Sequence, residues 1–395
     1  MPDMAPEPTR TRFGLVFLLW FAGLCAAGQF AKISTVFAEL QSTYGGAGAW
    51  SGFLVSILSL TGIVLGLAAG QTVARAGFRR LLIGALLLGA AMSAWQAVLP
   101  PFSLMLASRL LEGLSHLAIV VAAPTLIAQV STSRHRPVTM TLWGTFFGVA
   151  FAIFAWLGAP LAREFGIASL FLAHAAAMVT VAMVLYLRLP PHIAPREATS
   201  PPGLRQLAQL HRAIYASPWI GAPAIGWLFY TLTFVSLLTL LPPFIDASIR
   251  DQVTALLPLA GIVSSLTIGV YLLRHFAAVQ IVMAGFVIAA MLAPLLAVFP
   301  GNAGLSIALF AALGLVQGAS FASVPQLNST AADQAKANGA IAQMGNLGNT
   351  CGTPLLLAAI GMGGFGLLTG LAALCYLAGL GLHLHAARRR NRIQR

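Results

Sequence analysis

Charge is what this sequence has least of. Only 8% of its 395 residues are Asp, Glu, Lys or Arg, whereas a soluble globular chain carries about 25%. A water-facing surface cannot be built from that supply, so a soluble enzyme is excluded. Acid is the scarcer sign, with nine Asp and Glu against 22 Lys and Arg. Lysine is nearly absent too: Lys32 and Lys336 are the only two, and every other basic residue is arginine. The three cysteines, Cys25, Cys351 and Cys375, fall inside apolar runs without metal-like spacing and read as small apolar core residues. No His/Cys cluster has zinc geometry, and neither G-x-x-x-x-G-K-[ST] nor G-x-S-x-G occurs. The chain therefore has no phosphate-cradling loop, serine nucleophile elbow or metal site of its own, and no cofactor is expected.

Hydrophobic residues make up 58% of the chain. They gather into twelve runs at about 13–38, 50–73, 80–99, 102–130, 138–162, 166–188, 218–241, 253–274, 276–299, 303–328, 338–360 and 363–385. About 20 apolar residues cross a bilayer as a helix, because lipid offers backbone polar groups no partner. The runs that exceed this length are accommodated by tilt. The first is too long for a signal peptide and meets a second span within a dozen residues. The predicted fold class is an all-α polytopic membrane protein of twelve helices.

The formal charge of +13 would suggest nucleic acid if the chain were soluble. Sorting basic residues by the parity of the loops removes that reading. One side holds 18 of the 22, among them Arg10, Arg12, Arg75, Arg79, Arg80, Arg134, Arg136 and the tail from Arg388 to Arg395. The other side holds Arg163 and Arg250, and Lys32 and Arg109 lie within spans. Positive loops stay cytoplasmic, so both termini are expected inside a cell inner membrane and the charge is mainly topology. The expected partners are lipid and a small solute, with no nucleic acid and a monomeric chain.

The longest polar stretch, PPHIAPREATSPPGLRQLAQLHRAIYASP, separates the sixth and seventh runs. Its second half sets Leu204, Leu207, Leu210 and Ile214 near one helical face and Arg205 and Arg212 on the other, which predicts an amphipathic cytoplasmic helix. The expected organisation is a six-helix bundle over 1–189, a linker over 190–217, and a second bundle with a basic tail over 218–395. Self-similarity supports the division. Shifted by about 201, GLSHLAIVVAAPTL from Gly113 falls on GLVQGASFASVPQL from Gly314, which pairs His116 with Gln317. GQTVAR from Gly70 meets GVYLLR from Gly269, and Gly148 meets Gly348. Two like-oriented halves predict a midplane binding site between them and alternating access.

The loop after the second run, GQTVARAGFRR, resembles the G-x-L-A-D-R-x-G-R-[RK] signature of the major facilitator superfamily at Gly70, Arg75, Gly77, Arg79 and Arg80. The family's acidic position is Ala74 here, so the gating contacts of that acid do not carry over. RLLEGLSHLA in the fourth span is similar to the family's R-x-x-[QE]-G pattern through Arg109, Glu112 and Gly113. The resemblance covers nearly the whole chain and implies the superfamily fold, secondary transport and a gating role for the loop residues. The family's G-P-x-x-G-G antiporter element is not matched in WGTFFGVAFAIFAWLGAPLA, where Gly144 and Gly148 are spaced for close packing. RPVTMTLWGTFFG is faintly similar to cyanate-transporter-like members.

Charges inside hydrocarbon are costly, so each marks a candidate site. Lys32, Arg109 and Glu112 are the three such residues. At 1.5 Å per residue, Lys32 and Arg109 lie about 12 and 10 Å below the outer surface, at matching depth. Arg109, Glu112 and His116 share one helical face, within about 60°. If Glu112 neutralises one cation, a surplus of one positive charge is left to bind a carboxylate, while Glu112 and His116 exchange a coupled proton. The competing readings are a Lys32 that snorkels to the headgroups and an Arg109–Glu112 pair that only packs helices. Gln29, one turn before Lys32, is a further candidate ligand. The second half offers Gln317 as a ligand, Trp227 and Tyr230 with Phe234 as an aromatic wall, and Gln343, Asn346 and Asn349 as helix glue. His174 reads as structural. The favoured function is proton-coupled transport of a small organic anion or zwitterion. The alternatives are efflux of drug-like amphipathic solutes and a membrane signalling or scaffold role.

Overall fold

Residues 10–65, 77–189 and 204–394 are described by a computed structural model. No strand occurs among them. Ten apolar segments are long enough to cross a membrane: Phe13–Thr35, Gly45–Leu65, Phe78–Gln96, Phe102–Gln129, Arg136–Phe165, Ile167–Arg188, Ala222–Leu240, Arg250–Leu272, Ala278–Val298 and Ala303–Leu327. An eleventh element, Ala331–Gln394, runs for 64 residues and leaves helical geometry at Gly363 and Gly364. Gly364 sits at φ 64°, ψ −156°, a conformation that glycine adopts without the clash a Cβ would bring. The break separates 331–362 from 365–394, which restores the twelve spans predicted from the apolar runs. They are numbered below in chain order.

Contacts divide the chain into two units, Met1–Val36 with Val64–Pro201 and Phe37–Ile63 with Pro202–Arg395. Residues 37–63, which the sequence groups with the first six spans, thus pack with helices of the second unit. Glycine makes this approach close: a Cβ on Gly52 would lie 2.7 Å from the Pro354 Cα, and Gly62 faces the Asn346 side chain. The Gly-rich stretch Gly45–Gly52 is wound as a tighter 3-10 helix, with Gly48 at φ 51°.

In the first unit the core joins Val16, Leu19 and Ala22 of the first span to Leu82 and Leu86 of the third, Ile119 and Leu126 of the fourth, and Met178 and Leu185 of the sixth. Of the loop signature, Gly70 and Arg75 lie outside the described residues. Gly77 caps the third span at φ 80°, while Arg79 donates to the Tyr186 carbonyl at 2.7 Å and stacks on its ring. Arg80 is exposed.

In the second unit the seventh span lies against a stripe of Gly345, Gly348 and Gly352 on the eleventh. A Cβ on these residues would meet Trp227, Thr231 and the Leu232 carbonyl in turn. Between membrane helices, close backbone approach replaces the hydrophobic drive that lipid removes. The linker helix, Leu204–Ala216, exposes Arg205 and Arg212 and buries Ile214; the side chains of Leu204, Leu207 and Leu210 lie outside the description. Tyr215 donates to Gln343 Oε1 at 2.7 Å, and the same amide meets His211 Nε2 at 3.0 Å. Burial pushes the Tyr215 phenol up to about 12. Cys25 and Cys375 are buried, but Cys351 is exposed, so only two of the three cysteines are core residues.

The glycine stripe predicts a size limit. Gly352→Leu would force side-chain atoms into Leu232 and Ser236 and should cost about 1–3 kcal/mol or more, read as a lowered Tm of the purified protein. Gly361→Ala, whose Cβ meets nothing within 4 Å, should leave Tm unchanged or slightly raised; equal losses in both would refute the packing account.

Candidate functional site

Three helices of the first unit converge on one carboxylate. Glu112 of the fourth span accepts from Lys32 Nζ of the first at 2.7 Å through Oε1. Through Oε2 it accepts from Arg109 Nη1, one turn earlier on its own helix, and from Gln96 Nε2 of the third span at 2.9 Å. Lys32, Arg109 and Glu112 are each 0% exposed. The i, i+3 spacing that stacks side chains on a helix face brings Arg109 to Glu112, Ser93 to Gln96, and Gln29 to Lys32. Lys32 turns inward and does not snorkel, and Glu112 binds both cations, where the sequence reading assigned it one. The trio keeps a formal surplus of one positive charge.

A second layer locks the first. Lys32 also donates to Ser93 Oγ at 2.8 Å, and its ammonium lies 5.4 Å from the Phe171 ring centroid, a cation–π contact. Ser93 Oγ lies 2.9 Å from the Phe171 carbonyl and 3.0 Å from His174 Nδ1. His174 Nε2 meets the Cys25 carbonyl at 2.9 Å, and Phe154, in a π-helical turn of the fifth span, packs edge-on against the imidazole. Gln29 does not share a partner with Lys32: it donates to Ser115 Oγ at 2.9 Å, and Ser115 donates to the Ala85 carbonyl at 2.6 Å. The third span comes this close because residue 89 is glycine; a Cβ there would lie 2.6 Å from Ser115 Oγ and 2.7 Å from Gln29 Nε2.

His116 is half-buried. Its Nδ1 lies 3.0 Å from the Ala26 carbonyl, which can only accept, and its ring packs edge-on to Phe30. No hydrogen bond joins it to Glu112. In the second unit Gln317 is half-buried, and Trp227 stacks on Tyr230 at 4.5 Å, which stacks on Phe234 at 5.1 Å, all three buried. Gln343 ties the eleventh span to the linker helix, Asn346 returns to its own helix through Ala342, and Asn349 Oδ1 is buried without a partner. Sequence reasoning missed Ser93 and Gln96 and read His174 only as structural. The usable signal was depth: Ser93 and Gln96 end the third span near the outer surface, the level calculated for Lys32 and Arg109.

A family model described as Major Facilitator Superfamily matches residues 19–353. The chain belongs to the major facilitator superfamily. No curated protein matches it. Among solved structures it is similar to a bacterial homolog of the human lysosomal transporter Spinster. The inward-facing, occupied form aligns with TM-score 0.73 at 14% identity over 97% of this chain and 98% of the other. The inward-facing, unoccupied form aligns with TM-score 0.70 at 15% identity over 95% and 94%. At that identity the likeness establishes the fold. As a superfamily member this protein is a multi-pass membrane transporter, not an enzyme, and moves a small molecule by alternating access.

Removing one partner of a buried ion pair leaves a desolvated charge, at a cost of about 3–5 kcal/mol. Glu112→Gln in this transporter strands two cations and should lower stability by that amount in a thermal or denaturant titration of the purified protein. Glu164→Gln, at an exposed position, should change it by less than about 0.5 kcal/mol; a tolerated Glu112→Gln would show that the trio is not closed as described.

Proposed function

We propose that this protein is a proton-coupled transporter of small organic anions or zwitterions in a cell inner membrane, with both termini cytoplasmic. The observation that carries the proposal is the enclosed surplus: Lys32 and Arg109 share a single carboxylate, all three without solvent. An unbalanced positive charge in a low-dielectric interior favours either the arrival of an anion or the departure of a proton. Each event changes the free energy of the other, which is the reciprocity that coupling requires. Glu112 is the centre of this coupling element, since every charge in it is held through that carboxylate. The strong bias of basic residues to one side of the spans supports the orientation.

Substrate ligands are proposed on the same grounds. His116 and Gln317 hold equivalent positions in the internal repeat, both are half-buried, and each can hydrogen-bond a carboxylate. Gln29 Oε1 is buried without a partner and suits the ammonium of a zwitterion. Lys32 and Arg109 supply the positive field, and the Trp227–Tyr230 stack supplies an apolar face.

The test is thermal stabilisation of purified protein by a panel of small carboxylates, amino acids, amines and amphipathic drugs. At 100 times its Kd a ligand adds about 2.7 kcal/mol, so carboxylates or zwitterions should raise Tm, and Lys32→Ala should abolish the shift. Hits confined to amines or neutral amphiphiles would replace this reading with efflux of drug-like solutes. For coupling, vesicles with an inward-directed proton gradient should accumulate the stabilising anion, and collapse of the gradient should stop it.

A further inference from the structure

Glu112 is poorly placed to carry the coupled proton. Its two oxygens accept from Lys32, Arg109 and Gln96, all N–H donors. A proton added to either oxygen would point at a donor, and hydrogen bonds from several donors favour the ionised form. Arg109 cannot release a proton either, because guanidinium stays charged in proteins. The member of the trio with a proton facing a group outside the trio is Lys32, whose ammonium donates to Ser93 Oγ as well as to Glu112. In a chain that uses arginine at every basic position except Lys32 and Lys336, lysine stands where a releasable proton is useful.

The geometry points to Lys32, Ser93 and His174 as a proton relay, with Glu112 and Arg109 as its fixed counter-charges. This deepens the proton-coupled reading above and rests on it. The hydrogen bonds set the direction of each proton. The Cys25 carbonyl only accepts, so His174 Nε2 carries hydrogen, and in the neutral ring Nδ1 is then a bare lone pair facing Ser93 Oγ at 3.0 Å. Ser93 has one proton, and Lys32 Nζ donates to its oxygen at 2.8 Å. The Ser93 hydroxyl donates to the Phe171 carbonyl at 2.9 Å; turned to Nδ1 instead, it gives the order Lys32 N–H to Ser93 O–H to His174 Nδ1.

Transfer breaks one N–H bond at Lys32 Nζ and forms one O–H bond at Ser93, while the original Ser93 O–H breaks and an N–H bond forms at His174 Nδ1. Lys32 ends as a neutral amine still donating to Glu112, Ser93 regains one proton, and His174 becomes an imidazolium with both nitrogens donating. No proton or charge is gained or lost within the cluster. The Phe171 carbonyl, 2.9 Å from Ser93 Oγ, gives the hydroxyl an acceptor once Nδ1 is occupied. The groups facing the relay are few. The fourth span presents Glu112, Arg109 and the more distant His116, the third span presents the neutral Gln96, and the fifth presents Phe154. The sixth presents Phe171 beside His174, and the first adds Cys25.

Having only two lysines makes the relay directly observable. The full chain, labelled at lysine Cε and histidine Cε1, gives two lysine NMR signals. Lys336, exposed and paired with Asp333 at 2.8 Å, is identified by Lys336→Arg and serves as the internal control. Between roughly pH 6 and 9, the Lys32 signal should move in step with that of His174. Ser93→Ala should separate the two curves by about one pH unit or more, and Ser93→Thr, which keeps the hydroxyl, should restore their coincidence. A Lys32 signal constant over the range, or curves unchanged by Ser93→Ala, would overturn the relay. Failure of wild-type vesicles to accumulate the stabilising anion under a proton gradient is a separate result and would overturn the proton-coupled reading itself.

Discussion

The interaction on which the first unit depends is the carboxylate of Glu112 held between two cations. It is the only acid that the sequence places inside the hydrocarbon, and it joins the first span through Lys32, the third through Gln96 and the fourth through Arg109. In lipid a charge without a partner costs several kcal/mol, so three charges on three apolar helices are tolerated only when they meet. The helices therefore cannot slide or rotate independently. The small residues follow from that demand: Gly89 lets the third span approach Gln29 and Ser115, and Gly28 makes room for His174 and Phe154.

The second unit is held by other means. Among its described residues the cohesion between spans comes from glycine stripes and aromatic stacking. The seventh span packs on Gly345, Gly348 and Gly352, and the eighth and tenth cross where Gly261 meets Gly314. The two halves of the internal repeat thus share a fold and differ in chemistry. The buried charge trio belongs to one half, while the other contributes amides, rings and the buried His383, and the repeat partners His116 and Gln317 show that difference at a single position.

Much of this was legible in the sequence. Apolar runs marked all twelve spans because lipid leaves a chain no alternative to the helix, and even the fused last pair separates at Gly363 and Gly364, where the twelfth run begins. The three intramembrane charges were visible as exceptions to an apolar background, and their matching depth followed from helix rise alone. The detail of their pairing was not legible. Periodicity placed Arg109, Glu112 and His116 on one face, but a sector 60° wide did not say that Glu112 would take both cations while His116 turned to the Ala26 carbonyl. Ser93 and Gln96 were missed, and His174 was read only as structural, because a neutral polar residue in a span satisfies itself on its own backbone as readily as on a neighbour. Only tertiary placement distinguishes the two. The grouping of residues 37–63 with the second unit was hidden for the same reason, since it depends on Gly52 and Gly62 meeting the eleventh span.

The account stands on Glu112 being bound to both cations at once, and a double-mutant cycle on stability tests that most directly. Lys32→Met, Glu112→Gln and the double variant would be unfolded under one set of conditions. Removing Lys32 from the wild type breaks a pair, while removing it from Glu112→Gln relieves a stranded charge. The double variant should therefore be more stable than the sum of the single losses implies, with a coupling in the range of about 0.5–3 kcal/mol found for contacting residues. Additive losses would mean that Lys32 and Glu112 do not interact, and would contradict the account.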